Sequence, residues 1–306
     1  MTVVNAQAAD MDIASSRRIT RQRPLAALTA TMAVLAVVTA VGIVADHRIL
    51  TGVPIWIKPF KFAVSFAIYG LTLAWMLSVL PRRSRLAEWA AVAIVAVAVI
   101  EEGIIVTQAA RGTLSHYNET TPFNAALWQA MGMSILVLFV AHLLISVVSL
   151  RGPMPDRANA YGIRLGLGLS LLGMLAAVPM VMPGQDPGIE GITGAHSVGV
   201  PDGGPGLPLV GWSTTGGDLR IGHFVGLHAL QALPLLAWAL HRAGLHERKR
   251  ARLLLVAGGA YGVLIVLLTW QALRAQPLLQ PDALTLAAWA ALAVATATAA
   301  TLVVKR

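Results

Sequence analysis

The stretch GDLRIGHFVGLHALQALPLLAW, residues 217–238, begins with the composition of a soluble loop and ends with that of a lipid-facing helix. Its first half carries four polar side chains, Arg220, His223, His228 and Gln231. At 100° per residue these four fall on one face of a helix. Because polar groups in lipid turn towards a bundle interior or a wet cavity, the stretch predicts a membrane helix that lines an internal site open at one end.

The whole chain has the composition of a membrane protein. Its 306 residues are 57% apolar and 12% charged, with a mean hydropathy of +0.71, outside the range of ordinary soluble domains. Several apolar runs exceed the roughly 18 residues needed to cross a bilayer. The sequence therefore predicts an all-α integral membrane helical bundle with the lipid bilayer as a partner. The chain has no cysteine, which excludes disulfides, thiolate ligands and cysteine nucleophiles.

About eight transmembrane helices are expected. The predicted spans are 24–45, 60–80, 86–110, 124–150, 161–182, 219–241, 251–275 and 283–304. They form a single transmembrane domain over 24–304, which follows an N-terminal tail over 1–23. Two glycine patterns, at 162–170 and 258–262, indicate close helix–helix packing.

Charge orients the predicted spans. Most of the 23 Lys and Arg residues lie in the N-terminal tail, in the loops after spans two, four and six, and at the C-terminus. The positive-inside rule then predicts that both termini are cytoplasmic. The net charge of +9 is explained as a topology signal, so nucleic acid is not expected as a partner. The cations left for the extracytoplasmic side are Arg48, Lys58, Lys61, Arg111, Arg220 and Arg274.

The longest extracytoplasmic loop, 183–218, is rich in glycine and contains the run PDGGPGLP. Long loops are usually functional or disordered. This loop holds Trp212 and many residues that favour tight turns, and it is therefore predicted to be an ordered cap over the bundle.

Span three supplies a second polar wall. Glu101 and Glu102 lie about 13 Å below its extracytoplasmic end by helical rise, and His228 lies at the same depth in span six. If the two spans are neighbours, these three residues meet, and they are the predicted catalytic residues. A charged carboxylate in lipid is costly, so at least one of the two should be protonated, paired or metal-bound. The structural alternative is pairing with a nearby cation such as Arg111 or Lys61.

Other polar residues of the extracytoplasmic half suggest recognition of a substrate or an anion. The residues predicted for this role are Lys58, Lys61, Gln108, Arg111, Arg220 and Gln231. Snorkelling at the membrane interface is the alternative explanation for the two lysines.

The histidines suggest a metal or haem site. The candidate ligands are His223, His228 and His116, with haem b or a divalent metal as possible cofactor. His223 and His228 are about 140° apart on their helix, so they converge poorly on one small ion. His142 is expected near the cytoplasmic face, away from this site.

The predicted function is a metal- or haem-dependent membrane enzyme whose polar site opens to the extracytoplasmic side. One alternative is a proton-coupled transporter of a small or anionic solute. The other is a non-catalytic protein that binds lipid or a partner. The substrate of the enzyme or transporter would be a small molecule or a lipid.

Three segments carry a resemblance. WIKPFKF (56–62), QAARGTLSHYN (108–118) and VPDGGPGLPLVGWSTTGGDLRIGHFVGLHALQALPLL (200–236) resemble segments of a bacterial family of polytopic membrane proteins. The likeness covers spans two to six, and the last segment is the most specific. It implies a multi-pass protein of the bacterial inner membrane with this topology. No activity comes with it.

Overall fold

Eight helices long and apolar enough to cross a membrane lie in the described part of the chain, which confirms the predicted all-α membrane bundle. The computed structural model describes residues 22–80, 82–152, 154–182 and 188–305. The helices are α1 (Arg23–Ala45), α2 (Ile57–Val79), α3 (Arg85–Ala110), α4 (Pro122–Leu150), α5 (Arg157–Leu175), α6 (Arg220–Arg242), α7 (Glu247–Leu273) and α8 (Ala283–Lys305). The two-residue strands are β1 (Ile49–Leu50), β2 (Val53–Pro54), β3 (Ser197–Val198) and β4 (Gly217–Asp218).

Two predicted segments lie partly outside the described residues. The N-terminal tail over 1–23 is described only from residue 22, and the glycine-rich loop over 183–218 only from residue 188. The predictions of a separate tail, a single membrane domain and an ordered cap stay predictions.

Local sequence signals set the ends of the helices. Pro24 occupies the first turn of α1, where its missing N–H leaves no intrahelical bond unmade. The Asp156 carboxylate caps α5, and the Ser84 hydroxyl caps α3, by accepting hydrogen bonds from first-turn backbone N–H groups. After α6 the chain turns at Gly244 with a φ of +71°, a conformation that glycine adopts without steric cost.

The chain divides into two compact units, each described by itself. Unit 1 contains Met1–Arg48, Pro54–Thr113 and Met133–Pro153. Unit 2 contains Ile49–Val53, Leu114–Gly132 and Met154–Arg306. Unit 1 thus holds α1, α2, α3 and most of α4, and unit 2 holds α5 to α8 with the described part of the glycine-rich loop.

Within unit 1, α1 packs along α2, and both helices contact α3. Leu25 of α1, Leu73 of α2 and Ile94 of α3 are completely buried in this packing. Gly70 permits the close approach of α1 and α2, because a Cβ at this position would lie 2.8 Å from the Thr29 hydroxyl. The apolar contacts of unit 1 therefore hold α1, α2 and α3 in a fixed arrangement.

Within unit 2, glycines bring α5 and α6 into backbone contact. Gly173 and Gly226 face each other so closely that a Cβ on either would collide with the backbone of the other. Gly162 and Gly166 also lie against α6, as the packing interpretation of this pattern requires. Beside this helix pair, β3 pairs antiparallel with β4, which holds the described part of the glycine-rich loop at the start of α6.

Candidate functional site

The predicted site residues are divided between the two units. Those in unit 1 are Lys58, Lys61, Glu101, Glu102, Gln108 and Arg111. Those in unit 2 are His116, Arg220, His223, His228 and Gln231. The expected meeting of spans three and six concerns both units, and it stays a prediction.

Glu101 and Glu102 of α3 are buried, with exposed fractions of 0% and 1%. The hydroxyl of Ser134 on α4 donates a hydrogen bond to Oε1 of Glu101. Within the described residues, Oε2 of Glu101 and both carboxylate oxygens of Glu102 have no hydrogen-bond partner. Glu101 interacts electrostatically with Lys58 of α2 and with Glu102. Because unpartnered buried carboxylates are costly and rare, this pair needs an explanation other than packing.

A second polar contact in unit 1 joins α2 to α4. The hydroxyl of Tyr69 lies 2.7 Å from Nδ1 of His142, and the two rings stack at 5.8 Å between centroids. His142 is completely buried. Further along α4, the Ser146 hydroxyl donates to the carbonyl of His142, and the Ser149 hydroxyl donates to the carbonyl of Ser146. The buried face of α4 is therefore polar at several successive positions.

Polar residues of α2 also follow one face. Lys58, Lys61, Ser65 and Tyr69 recur at intervals of three or four residues, which places them within an arc of about 80°. The first of them interacts with Glu101, and the last bonds to His142. The interacting residues are named here the polar core of unit 1. They are Lys58, Tyr69, Glu101, Glu102, Ser134 and His142.

Hydrogen bonds tie three helix ends together at the Lys58 end of unit 1. The indole N–H of Trp56 donates to the Asp46 carboxylate at 2.8 Å, and Arg48 bonds both to Asp46 and to the last carbonyl of α3. The hydrogen bonds from Arg48 and Trp56 hold the pKa of Asp46 well below its usual range. Beyond α3, the Arg111 guanidinium donates to Oε1 of Gln108 at 2.6 Å. These bonds fix the end of the bundle at which the polar core begins.

In unit 2, one group of polar residues lies in the loops. His196 Nδ1 lies 2.7 Å from Oδ2 of Asp202, whose carboxylate also accepts the backbone N–H groups of His196 and Ser197. Burial raises the pKa of Asp202, but these hydrogen bonds and the charge of His196 outweigh it and hold the pKa below its usual range. The Tyr117 ring meets the His196 ring edge-to-face at 5.3 Å. Burial, with a further contribution from Asp202, raises the pKa of Tyr117.

Arg220, at the start of α6, is held by an ion pair. Its guanidinium donates to both oxygens of Asp218 at 2.9 and 2.6 Å and to the carbonyl of Gly211 at 2.6 Å. The Asp218 side chain is 1% exposed and also accepts the backbone N–H of Ser213. An anion bound by Arg220 would thus compete with the Asp218 carboxylate for the guanidinium.

The histidines of unit 2 have separate surroundings. His223 Nδ1 lies 2.8 Å from the carbonyl of Gly173 on α5. His228 Nδ1 lies 3.2 Å from Oε1 of Gln231. His116 contacts the Ser115 hydroxyl through Nδ1 at 3.0 Å. Of the predicted ligands and binding residues, the structure brings His228 together with Gln231, and it directs His223 towards α5.

No three His, Asp or Glu side chains among the described residues stand close enough together to hold a metal ion. A divalent metal site built from His223, His228 and His116 is therefore not supported. A groove of about 450 Å³ lies between α5 and α7, and it is lined only by leucine, valine and glycine, including Leu165 and Gly258. It has the apolar surface that suits a lipid chain.

Comparison of the chain with protein-family models, with curated proteins and with solved structures finds no match. The fold and its buried polar residues define a multi-pass α-helical membrane protein.

Three members of the polar core were not among the predicted site residues. Ser134 and Tyr69 carry no strong signal of their own, and His142 was expected to stand apart from the site. One sequence signal could have found Tyr69, namely its position on the same α2 face as Lys58 and Lys61. The partner of His142 could not be found without knowing which helices are neighbours.

Proposed function

We propose that this protein is a proton-coupled transporter of a small anionic solute, in which Glu101 and Glu102 bind and release the coupled proton. One observation carries the proposal. Three of the four carboxylate oxygens of the pair are buried without a hydrogen-bond partner in the described part of the chain. Ionisable groups inside membrane helices commonly belong to substrate paths and proton relays.

The chemistry of the pair suits proton exchange. Two adjacent carboxylates in a medium of low dielectric constant cannot both ionise cheaply, so the pair gains from holding at least one proton. Lys58 and the Ser134 hydroxyl stabilise one negative charge on Glu101. Such a pair alternates between one and two bound protons as its access to water changes. This change in the number of bound protons is the step that couples a proton to a solute.

The charges at the Lys58 end support an anion as the solute. The segments 46–61 and 108–113 contain Arg48, Lys58, Lys61 and Arg111 against one acid, Asp46, which pairs with Arg48. A surplus of cations raises the local concentration of anions. The positive-inside distribution of the loops supports the orientation in which this end faces the extracytoplasmic side. The resemblance to a bacterial family supports the bacterial inner membrane as the location.

The test is proton entry into vesicles that contain the purified protein and an internal pH-sensitive dye. The outside is made acidic, and inorganic phosphate, sulfate and succinate are supplied there as probe anions. Entry should be faster than into protein-free vesicles and should fall by about ten-fold or more in the E101Q/E102Q variant. The matched control is Glu88→Gln, because Glu88 lies on the same helix but is partly exposed and pairs with Arg83. Wild-type entry equal to protein-free vesicles, or an unchanged rate in E101Q/E102Q, would contradict the proposal.

A haem-dependent membrane enzyme is the second candidate, favoured by one contact. Ligating histidines usually donate their second ring N–H to a carbonyl or carboxylate, and the Nδ1 of His223 contacts the Gly173 carbonyl in this way. With the proton on Nδ1, Nε2 is the nitrogen available to iron. The visible spectrum of the purified protein tests this. A Soret band that disappears in His223→Ala supports haem binding, and a colourless wild-type protein contradicts it.

A further inference from the structure

Tyr69 and His142 are the other ionisable residues of the polar core, and the proposed function does not use them. Their side chains are in direct contact at 2.7 Å, and His142 is completely buried within unit 1. A buried imidazole in a membrane helix is costly, and residues of this kind commonly belong to proton relays or substrate paths. Its partner is a phenol, which can both donate and accept a proton in a hydrogen bond.

We propose that Tyr69 and His142 form a second proton-binding station, through which protons pass between the Glu101–Glu102 pair and the far end of unit 1. This inference rests on the proposed function, because it extends the route of the same protons. It makes the polar core a path with two stations.

The helix geometry gives the path its direction. Ser134, which bonds to Glu101, and His142 lie on the same buried face of α4, eight residues or about 12 Å apart along the axis. Tyr69 lies about 16 Å further along α2 than Lys58, which interacts with Glu101. Both helices therefore separate the two stations in the same direction, away from the Lys58 end. About three or four water molecules at hydrogen-bond spacing span such a gap, and the Ser65 hydroxyl stands on the same α2 face between the stations.

The transfer at the second station balances without an additional reactant. A proton arriving from the first station binds the phenol oxygen of Tyr69, and the original phenol proton moves along the hydrogen bond to Nδ1 of His142. The imidazolium formed in this way releases the proton of Nε2 towards the far end. One proton enters and one leaves. The His142 ring then carries its proton on Nδ1, and its return to the tautomer with the proton on Nε2 resets the pair.

Serine hydroxyls extend the polar face beyond the station. Ser146 and Ser149 follow His142 on α4, both are buried, and both bond to the preceding turn of their own helix. Hydroxyl groups can accept and donate at the same time. The polar face thus continues towards the end of α4 rather than stopping at the imidazole.

Two substitutions test the station in the vesicle assay with the same probe anions. Tyr69→Phe keeps the stacked ring and removes the hydroxyl, and His142→Gln keeps a polar side chain and removes the titrating group. Each should lower proton entry by about ten-fold or more, and the double variant should be no slower than the slower single variant. The matched control is Tyr261→Phe, since Tyr261 donates a hydrogen bond to the Val225 carbonyl inside unit 2.

A second readout separates a relay role from a structural one. Dicyclohexylcarbodiimide, an apolar reagent that modifies protonated carboxyl groups, should label Glu101 and Glu102 equally in wild type, Tyr69→Phe and His142→Gln. Loss of labelling in these variants would mean that the first station is disrupted, and it would overturn the inference.

The failures of the two proposals are distinguishable. If E101Q/E102Q blocks proton entry while Tyr69→Phe and His142→Gln remain within about two-fold of wild type, the route avoids the second station and the proposed function survives. If the wild-type protein moves no protons, the proposed function fails and the second station fails with it.

Discussion

The acids inside unit 1 and the acids in the loops of unit 2 differ in how many hydrogen-bond donors surround their carboxylates. Asp218 is buried and the Asp202 side chain is 13% exposed, and the carboxylates of both accept hydrogen bonds from an imidazole or a guanidinium and from backbone N–H groups. Glu101 and Glu102 are buried at least as deeply, but three of their four oxygens have no such partner within the described residues.

The difference separates two uses of a buried charge. A carboxylate with a full set of donors stays ionised and holds its loop in place, so it is explained by structure alone. A carboxylate without donors inside a membrane helix gains stability by binding a proton. When it is ionised, such a carboxylate destabilises the folded protein, and a function is therefore the reason to retain it.

The largest expected effect comes from removing a carboxylate that has a full set of hydrogen-bond donors. Asp218→Ala leaves Arg220 and two backbone N–H groups without their acceptor, and it should lower the free energy of unfolding by about 3 kcal/mol. This is the low end of the usual range, because the Arg220 side chain is 30% exposed. Thermal unfolding in detergent measures the change. Glu190 lies in the same loop and is exposed, so the Glu190→Ala variant should unfold at the wild-type temperature. An equal effect of both substitutions would contradict the claim that the hydrogen bonds of Asp218 stabilise the fold.

A smaller effect of opposite sign is expected in unit 1. Glu102→Met replaces an unsatisfied buried acid by an apolar side chain of similar volume, and it should raise the free energy of unfolding by about 1 kcal/mol. The same variant should lose proton entry in vesicles. A loss of stability comparable to that of Asp218→Ala would show that Glu102 has structural partners after all.

The smallest effect is a difference in pH dependence. Because the pKa of Asp202 is below its usual range in the folded protein, its contribution to stability is complete above the unfolded value of about 4 and is lost as the pH falls further. His196, Tyr117 and Arg220 are the ionisable groups that interact with it. The unfolding temperature should therefore fall less steeply below about pH 4 in Asp202→Asn than in wild type. Parallel curves for the two proteins would refute this.

Hydrophobicity and helix periodicity predicted the fold, because eight long apolar runs permit few alternatives in a bilayer. The same reasoning found Glu101 and Glu102, since an acid in an apolar run is conspicuous. It missed Ser134 and His142, because a hydrogen bond between two helices depends on which helices are neighbours and how they are rotated. The anion-binding role of Arg220 stays a prediction, and the ion pair of Arg220 with Asp218 could not be foreseen because it depends on how the loop turns.

The central claim is that the Glu101–Glu102 pair holds an exchangeable proton inside the membrane, and infrared spectroscopy of the protein in lipid tests it directly. At neutral pH the account predicts the carbonyl stretch of a protonated carboxylic acid, shifted to lower frequency in D₂O and absent from the E101Q/E102Q variant. Glu88→Gln should leave the band unchanged. The absence of this band from the wild-type protein, or its persistence in E101Q/E102Q, would contradict the account.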